Sequence, residues 1–327
     1  MEFLFALLNG FSSGGTYAII AIGYTMVYGI AKMLNFAHGD IIMVGGYAMF
    51  VALVFNQPLV ALAFAILACM LLGITVERLA YKPLRGASSL AVLITAIGVS
   101  SLLQSLAQII FGAAPKMPTQ FMINGAITLG TFRINYSTLV TLAVTVVIMT
   151  ALTVFVKYTK TGRAMVAVSE DRGAAQLMGI NTNRIIAITF AIGSALAAVA
   201  AYLMLMKAPT LSSTLGAMPG IKAFTAAVIG GIGSIPGAML GGVLLGVIES
   251  LALSVPQLAP FTDAIEFAVL IVILLVKPAG LLGKARREKV RSVSFRFSKS
   301  PSCETTPITW SSCWWRWSLP CCPSPAA

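Results

Sequence analysis

The stretch that decides the fold is Phe3–Ala31, FLFALLNGFSSGGTYAIIAIGYTMVYGIA, which carries no charge at all. A helix needs roughly 20 mostly apolar residues to cross a bilayer. In lipid the backbone must satisfy its own hydrogen bonds, so such a run is a helix and not an open strand. Working outward, Ile41–Val76 is also uncharged, with Asn56-Gln57-Pro58 as a break in its middle. Gly86–Pro115, Ile134–Val156, Ile185–Met206 and Ala223–Ile248 follow. The predicted spans are 4–30, 38–56, 59–77, 88–111, 137–156, 185–206, 223–235, 237–255 and 261–277. The seventh is too short to cross alone and reads as a half-helix joined to the eighth at Gly233-Ser234-Ile235-Pro236. The fold class is therefore an all-α polytopic membrane protein of about eight or nine spans, with at least one Gly/Pro-interrupted segment.

Composition agrees. Of 327 residues 58% are apolar and 10% charged, and the mean hydropathy is +0.93. Soluble domains are about a quarter charged, so an ordinary cytosolic enzyme, a disordered chain and a nucleic-acid binder are excluded. The net charge of +12 must be read by position. Lys32, Arg78, Lys82, Arg85, Lys157, Lys160, Arg163, Arg172, Arg184, Lys277, Lys284, Arg286, Arg287 and Lys289 fall in loops of one side. Only Lys116, Arg133, Lys207 and Lys222 fall on the other. Cytoplasmic loops carry the excess of Lys and Arg, which places the N-terminus outside and the C-terminus inside. No cleavable signal peptide is expected, because Glu2 stands where a basic start belongs and no small-residue cleavage site follows a short apolar core.

Several positions invite a role. Asn35, His38, Gly39 and Asp40 lie between two apolar runs. Asp40 can N-cap the second helix, with Asn35 and His38 closing a turn; the alternative is gating or substrate contact. Gly230, Gly231, Gly233 and Pro236 break a span, which means either close helix packing or an irregular segment lining a route. The counterpart of that break in the first half would be Asn35–Gly46. Glu249 lies inside the eighth span, where an ionisable group is costly and suggests a functional site or a buried pair. Asp263 and Glu266 read as boundary residues, and Glu77 and Arg78 as helix-end residues facing water. Cys69 reads as a packing residue. In the hydrophilic loop 157–184, Ser169 or Asp171 can cap a short helix from Asp171 to Met178, stopped at Gly179. Ala174, Leu177 and Met178 share one face of it, either packed on the domain itself or docking another protein. No phosphate-cradling loop, metal-ligating cluster or Ser/His/Asp triad is present.

Three separated motifs carry a resemblance. Gly173-Ala174-Ala175-Gln176-Leu177-Met178-Gly179-Ile180 resembles the EAA-type loop of ATP-binding cassette (ABC) importer permeases, with Gly173 where that pattern has Glu. Residues 23–40, from Gly-Tyr-Thr-Met-Val-Tyr-Gly-Ile to Asn-Phe-Ala-His-Gly-Asp, resemble the N-terminal signature of branched-chain amino acid permeases of the LivH type. Residues 226–238, Ala-Ala-Val-Ile-Gly-Gly-Ile-Gly-Ser-Ile-Pro-Gly-Ala, resemble that family's second conserved region. The likeness covers about 1–290. It implies a non-enzymatic subunit of an importer for Leu, Ile and Val in the bacterial inner membrane. It also implies a sister permease, ATP-binding subunits that use the ATP, and a periplasmic binding protein; this chain would bind no cofactor. Glu170, Asp171, Gly173, Ala174, Ala175, Leu177, Met178 and Gly179 would form the loop that couples to the ATPases. Rival readings are a permease for urea or short amides, an ion-coupled secondary transporter using Glu249 and Asp40, and a membrane-embedded enzyme.

The domain reading is a permease domain, 1–290, and an atypical tail, 291–327. That tail holds nine Ser, five Pro, four Cys and all four Trp. Cys303, Cys313, Cys321 and Cys322 lack zinc-site spacing, and the segment is expected to be disordered or out of frame. From Lys284 onward the chain supplies eight of the 22 basic and two of the ten acidic residues. Half of the net charge thus comes from the end of the chain.

Overall fold

The computed structural model describes residues 2–283, apart from 34, 56, 123–124 and 130–131. The tail 291–327 and the basic residues from Lys284 lie outside the described residues. Eleven helices run in the order α1 (Glu2–Ala31), α2 (His38–Ala52), α3 (Pro58–Val76), α4 (Ser89–Phe111), α5 (Tyr136–Tyr158), α6 (Lys160–Glu170), α7 (Arg172–Leu177), α8 (Thr182–Lys207), α9 (Ala217–Gly230), α10 (Ile235–Ser254) and α11 (Thr262–Val276). A short antiparallel hairpin, β1 (Ala126–Leu129) and β2 (Phe132–Asn135), precedes α5, with Ala126 opposite Asn135. Among the described residues seven helical segments are long and apolar enough to cross a membrane: α1, α3, α4, α5, α8, α10, and α11 together with the turn before it, Ala259–Val276. The chain is a multi-pass helical membrane protein.

The apolar side chains are arranged for lipid. Leu71, Ile109, Val147 and Leu275 are mostly exposed, on α3, α4, α5 and α11 respectively, while the interior is rich in Ala and small polar residues such as Ala18, Ala197, Ala201, Thr141 and Thr189. Lipid offers no hydrophobic drive to bring helices together, so association rests on close backbone approach and buried polar contacts. Helix α1 is the hub. It packs most extensively on α10, then on α8, α9 and α5. The α1–α10 seam is built of glycine: a Cβ on Gly246 would lie 2.1 Å from the Gly14 nitrogen, and one on Gly242 would lie 2.4 Å from the Ala18 Cα. Gly10, Gly14 and Ala18 on α1 thus face Gly242 and Gly246 on α10, both at the four-residue spacing of membrane helix seams.

The two remaining apolar helices are short. Helices α2 and α9 have 15 and 14 residues, about 22 and 21 Å against a hydrocarbon core of about 30 Å. Their N-terminal ends meet inside the bundle. A Cβ on Gly39 would fall 2.5 Å from the Gly216 oxygen and 3.2 Å from the Gly220 Cα. His38 in turn packs against Gly23, which lies on α1 well before its end at Ala31. Each short helix therefore falls short of a full span, and irregular chain before it, including Asn35–Ala37 and 208–216, leads to its start. Lys32, with φ 52°, ends α1 in the left-handed conformation.

This arrangement corrects the predicted seventh span, 223–235. The helix runs 217–230 and stops because Gly231 and Gly233 take φ of 104° and 96°. The charge-gap reading started too late because it put Lys222 in an outer loop. Lys222 is buried inside α9 and neutralised there by carboxylates. The basic loops do collect at one end of the bundle. Arg172 reaches the end of α1, Arg85 reaches Asn183, and Leu281 N–H donates to the Ile229 carbonyl. Lys116 pairs with Leu211 at the opposite end.

If the glycine seam holds α1 to α10, Gly246→Val should cost at least the 1–3 kcal/mol typical of overpacking, whereas Gly98→Ala, with open space around it, should change stability by under about 0.5 kcal/mol. Thermal unfolding of the two purified variants in mild detergent checks this.

Candidate functional site

The polar loop between α5 and α8 folds into two helices outside the spans. Thr159 starts α6 by accepting a hydrogen bond on Oγ1 from the Gly162 N–H at 3.0 Å. Met165 and Val168 bury the apolar face of α6. Helix α6 was missed from the sequence, although a threonine cap followed by Gly162, Met165 and Val168 at three-residue spacing is a legible signal. Glu170 is exposed at its end. Asp171 then turns extended and caps α7, its Oδ1 accepting from the Gly173 and Ala174 N–H groups at 2.8 and 3.1 Å. Gly179, with φ 81°, supplies the left-handed stop.

Helix α7 is held firmly yet offers an open apolar face. Ala175 is buried beneath it, and Gln176 Nε2 donates to Thr182 Oγ1 at 3.0 Å, tying the loop to the start of α8. Leu177 and Met178 are 90% and 82% exposed, and Gly173 and Ala174 beside them are exposed too. Arg172, which sequence reading treated only as a loop cation, makes the link inward. Its Nη2 donates to the Ile30 carbonyl at 3.1 Å and also to the Ala31 carbonyl. These are the last carbonyls of α1, which no residue of that helix can satisfy, and a cation is favoured at that end. Burial, and then the charge of Arg85, push the Arg172 guanidinium below its usual pKa.

The Asn35–Asp40 segment folds differently from its predicted cap. Ala37, not Asp40, precedes α2, and it gives no side-chain cap. Asp40 is buried within the first turn of α2, as its third residue, and its Oδ1 accepts from Gln104 Nε2 at 2.8 Å. Asn35 Oδ1 accepts from the Tyr81 hydroxyl at 2.8 Å. His38 stands edge-on to Tyr24 with ring centres 4.7 Å apart, and Phe224 of α9 packs on both Tyr24 and Phe36. Asn35 Nδ2 and His38 Nε2 are buried without a hydrogen-bond partner among the described residues. Asn35, Tyr24, Tyr28, Phe224 and Ile232 line a gap of about 10 Å³, room for one water at most.

Gly230, Gly231, Gly233 and Pro236 form the turn between α9 and α10. Gly230 lies against Gly237, whose carbonyl oxygen would be 2.0 Å from a Cβ. Ser234 caps α10 through Gly237 N–H at 3.2 Å, and Pro236 sits in the first turn. Residues 280–283 pack onto Gly231 and hydrogen-bond to Ile229 and Gly230. Close packing accounts for these glycines at the end of the bundle. The turn meets α1 at Gly29, whose nearest neighbour is Gly233.

Glu249 is in a buried ionic cluster. Lys222 Nζ on α9 lies 2.6 Å from Glu249 of α10, 2.9 Å from Asp263 and 3.2 Å from Glu266 of α11. The Tyr17 hydroxyl of α1 donates to Glu249 at 3.0 Å. The three ammonium protons thus meet three carboxylates, and four helices are joined at one point. Glu266 is 1% exposed, which corrects its reading as a boundary residue; Asp263, 52% exposed, does lie at the boundary. Glu77 is likewise buried, paired with Arg85, and does not face water. Sequence reading found the carboxylates but missed Lys222, whose signal was a lone cation between Gly220 and an apolar run. Beside Glu249 a groove of about 260 Å³ opens, in which Asn9, Ser13, Ser250 and Ser254 alternate with Phe5, Ala6 and Leu253.

A family profile described as branched-chain amino acid transport system / permease component matches residues 6–274. The chain is 44% identical over 304 residues to the high-affinity branched-chain amino acid transport system permease protein BraD of Pseudomonas aeruginosa, covering 88% of this chain and 98% of that protein. It is 45% identical to the corresponding LivH protein of Salmonella typhimurium and 44% identical to that of Escherichia coli, each over 89% of this chain and 98% of the relative.

Removing the cation from the cluster tests its role in the bundle. Lys222→Met strands three carboxylates and should destabilise by about 3–5 kcal/mol, read as lost monodispersity in mild detergent; Lys222→Arg should retain much of the stability.

Proposed function

We propose, from the premise that this chain belongs to the branched-chain amino acid transport permease family, that it is the membrane-spanning subunit of an ABC importer for Leu, Ile and Val. The observation that carries the coupling part of the reading is α7: a capped, anchored helix outside the spans whose Ala174, Leu177 and Met178 present an apolar face that none of the described residues covers. An ATP-binding subunit covers that face. The ATP is bound and hydrolysed by those partners, and this chain carries no catalytic residue. A sister permease and a periplasmic binding protein complete the system. The basic end, with Lys32, Arg78, Lys82 and Arg163, faces the cytoplasm of the bacterial cell. The N-terminus and the hairpin before α5 are then periplasmic.

Contacts within the bundle support a route for coupling. A displacement of α7 acts through Arg172 on the last carbonyls of α1. Helix α1 is fixed to α10 by the glycine seam and to Glu249 through Tyr17. In this reading the motion arrives at the groove of Asn9, Ser13, Glu249 and Ser250. The segment Asn35–Asp40 follows α1 directly and moves with it, so its buried polar groups form the gate beside the 230–236 turn. The ion-coupled alternative is less well supported, since Glu249 is neutralised by Lys222 and Asp40 is engaged by Gln104.

Ala174→Glu places a charge in the middle of the docking face. Uptake of labelled leucine should fall by at least about tenfold, within the range of coupling energies, while the protein still reaches the membrane at normal amounts. Arg172→Ala should leave ATP hydrolysis by the assembled complex intact and lower uptake to a similar degree. Unchanged uptake at normal expression in both variants would remove α7 as the coupling element.

A further inference from the structure

Helices α3 and α8 touch at Gly73, where a Cβ would lie 2.1 Å from Ser194 Oγ and 3.0 Å from the Phe190 carbonyl oxygen. Beside that contact they leave a cleft of about 620 Å³. One face of each helix lines it: Met70 and Ile74 on α3, Ile188 and Ile192 on α8. These positions recur at spacing four, so the cleft runs along the helix axes into the apolar span. Its mouth is different. After α3 the chain continues through a π-helical turn, Glu77–Tyr81, and there Arg78 and Lys82 meet Arg184 of α8.

The charge balance at the mouth is uneven. Glu77 is the one carboxylate among the lining residues, and it is already paired with Arg85. Arg85 also donates to Asn183, closing the back of the cleft. Arg78, Lys82 and Arg184 are exposed and form no salt bridge among the described residues. Three cations over an apolar trough at a membrane surface match a molecule with a phosphate head and a hydrocarbon tail. Basic pockets between spanning helices are suited to anionic headgroups.

We propose that the α3–α8 cleft binds one anionic phospholipid, with its phosphate at Arg78, Lys82 and Arg184 and an acyl chain along Met70, Ile74, Ile188 and Ile192. The site needs only that this end of the bundle meets a lipid surface, and it stands apart from the coupling helix and the transport reading. The lipid seals the cleft and holds the α3–α4 connection against the start of α8.

The full-length chain, in complex with its partners and reconstituted into vesicles of equal phosphatidylglycerol and phosphatidylcholine, is analysed by native mass spectrometry. Phosphatidylglycerol should be retained over phosphatidylcholine, and neutralising each of Arg78, Lys82 and Arg184 to Gln should lower that preference about fivefold. All three are exposed, so the variants should fold as the parent does. Lys157→Gln with Lys160→Gln, on the same end but outside the cleft, should leave the preference unchanged. A photoreactive residue in place of Ile188 should crosslink to lipid. Equal retention of the two lipids, an unchanged preference in the Arg78→Gln/Lys82→Gln/Arg184→Gln variant, or an equal loss in the Lys157/Lys160 control would overturn the proposal. So would displacement of the lipid by millimolar inorganic phosphate, or a crosslink from position 188 to a partner subunit.

Discussion

Two helices in lipid gain nothing from hiding Leu against Leu, so α1 and α10 are joined by what glycine permits. Gly10 and Gly14 lie against the backbone of Val243, Gly246 and Val247, and Gly242 lies against Ala18. The short distance between axes makes polar contacts reachable. Ser250 Oγ donates to the Ala6 carbonyl at 2.6 Å, and the Tyr17 hydroxyl reaches Glu249. Because α1 also packs on α8, α9 and α5, moving it away from α10 would disturb the whole bundle. Dispersion contacts and a few buried polar bonds replace the hydrophobic effect here.

The same economy of side-chain volume lets two half-helices start inside the membrane. Gly39 and Gly216 stand where a Cβ on either would collide with the other's carbonyl. The irregular segments that lead to them keep Met33, Asn35, Ala37, Leu211 and Ser213 buried among the helices, where non-helical backbone at membrane depth is tolerated. At its end α1 presents carbonyls that lipid could not satisfy, and Arg172 of the outer loop satisfies two of them. One residue thus caps α1 and ties the outer loop to the end of that helix.

The spans were legible wherever charge was absent, because charge and lipid exclude each other. The reading failed at Lys222 for the same reason: a buried cation that carries its own carboxylates looks like a loop residue when only the chain is visible. Lys222 is 27 residues from Glu249 and 44 from Glu266, and nothing local reveals that they meet. Glu77 was misread likewise, since its partner Arg85 follows a turn that the sequence pattern does not display. Asp40 resembled a helix cap by type and place, yet its carboxylate is drawn to Gln104 on α4, a contact between helices. The α7 cap at Asp171 and the stop at Gly179 were legible because they depend on residues within the same eight or nine positions. Arg172 was visible only as a charge, because its acceptors are backbone atoms of a helix 141 and 142 residues earlier in the chain.

Under the proposed function this chain is a conduit whose motion is supplied from outside by ATP-binding partners. The most direct measurement is uptake of labelled leucine by proteoliposomes holding the purified chain with its sister permease and binding protein, with and without the ATPases. Uptake should require both the ATPases and ATP, and should be indifferent to an imposed proton or sodium gradient. Accumulation driven by an ion gradient in the absence of the ATPases would contradict the account.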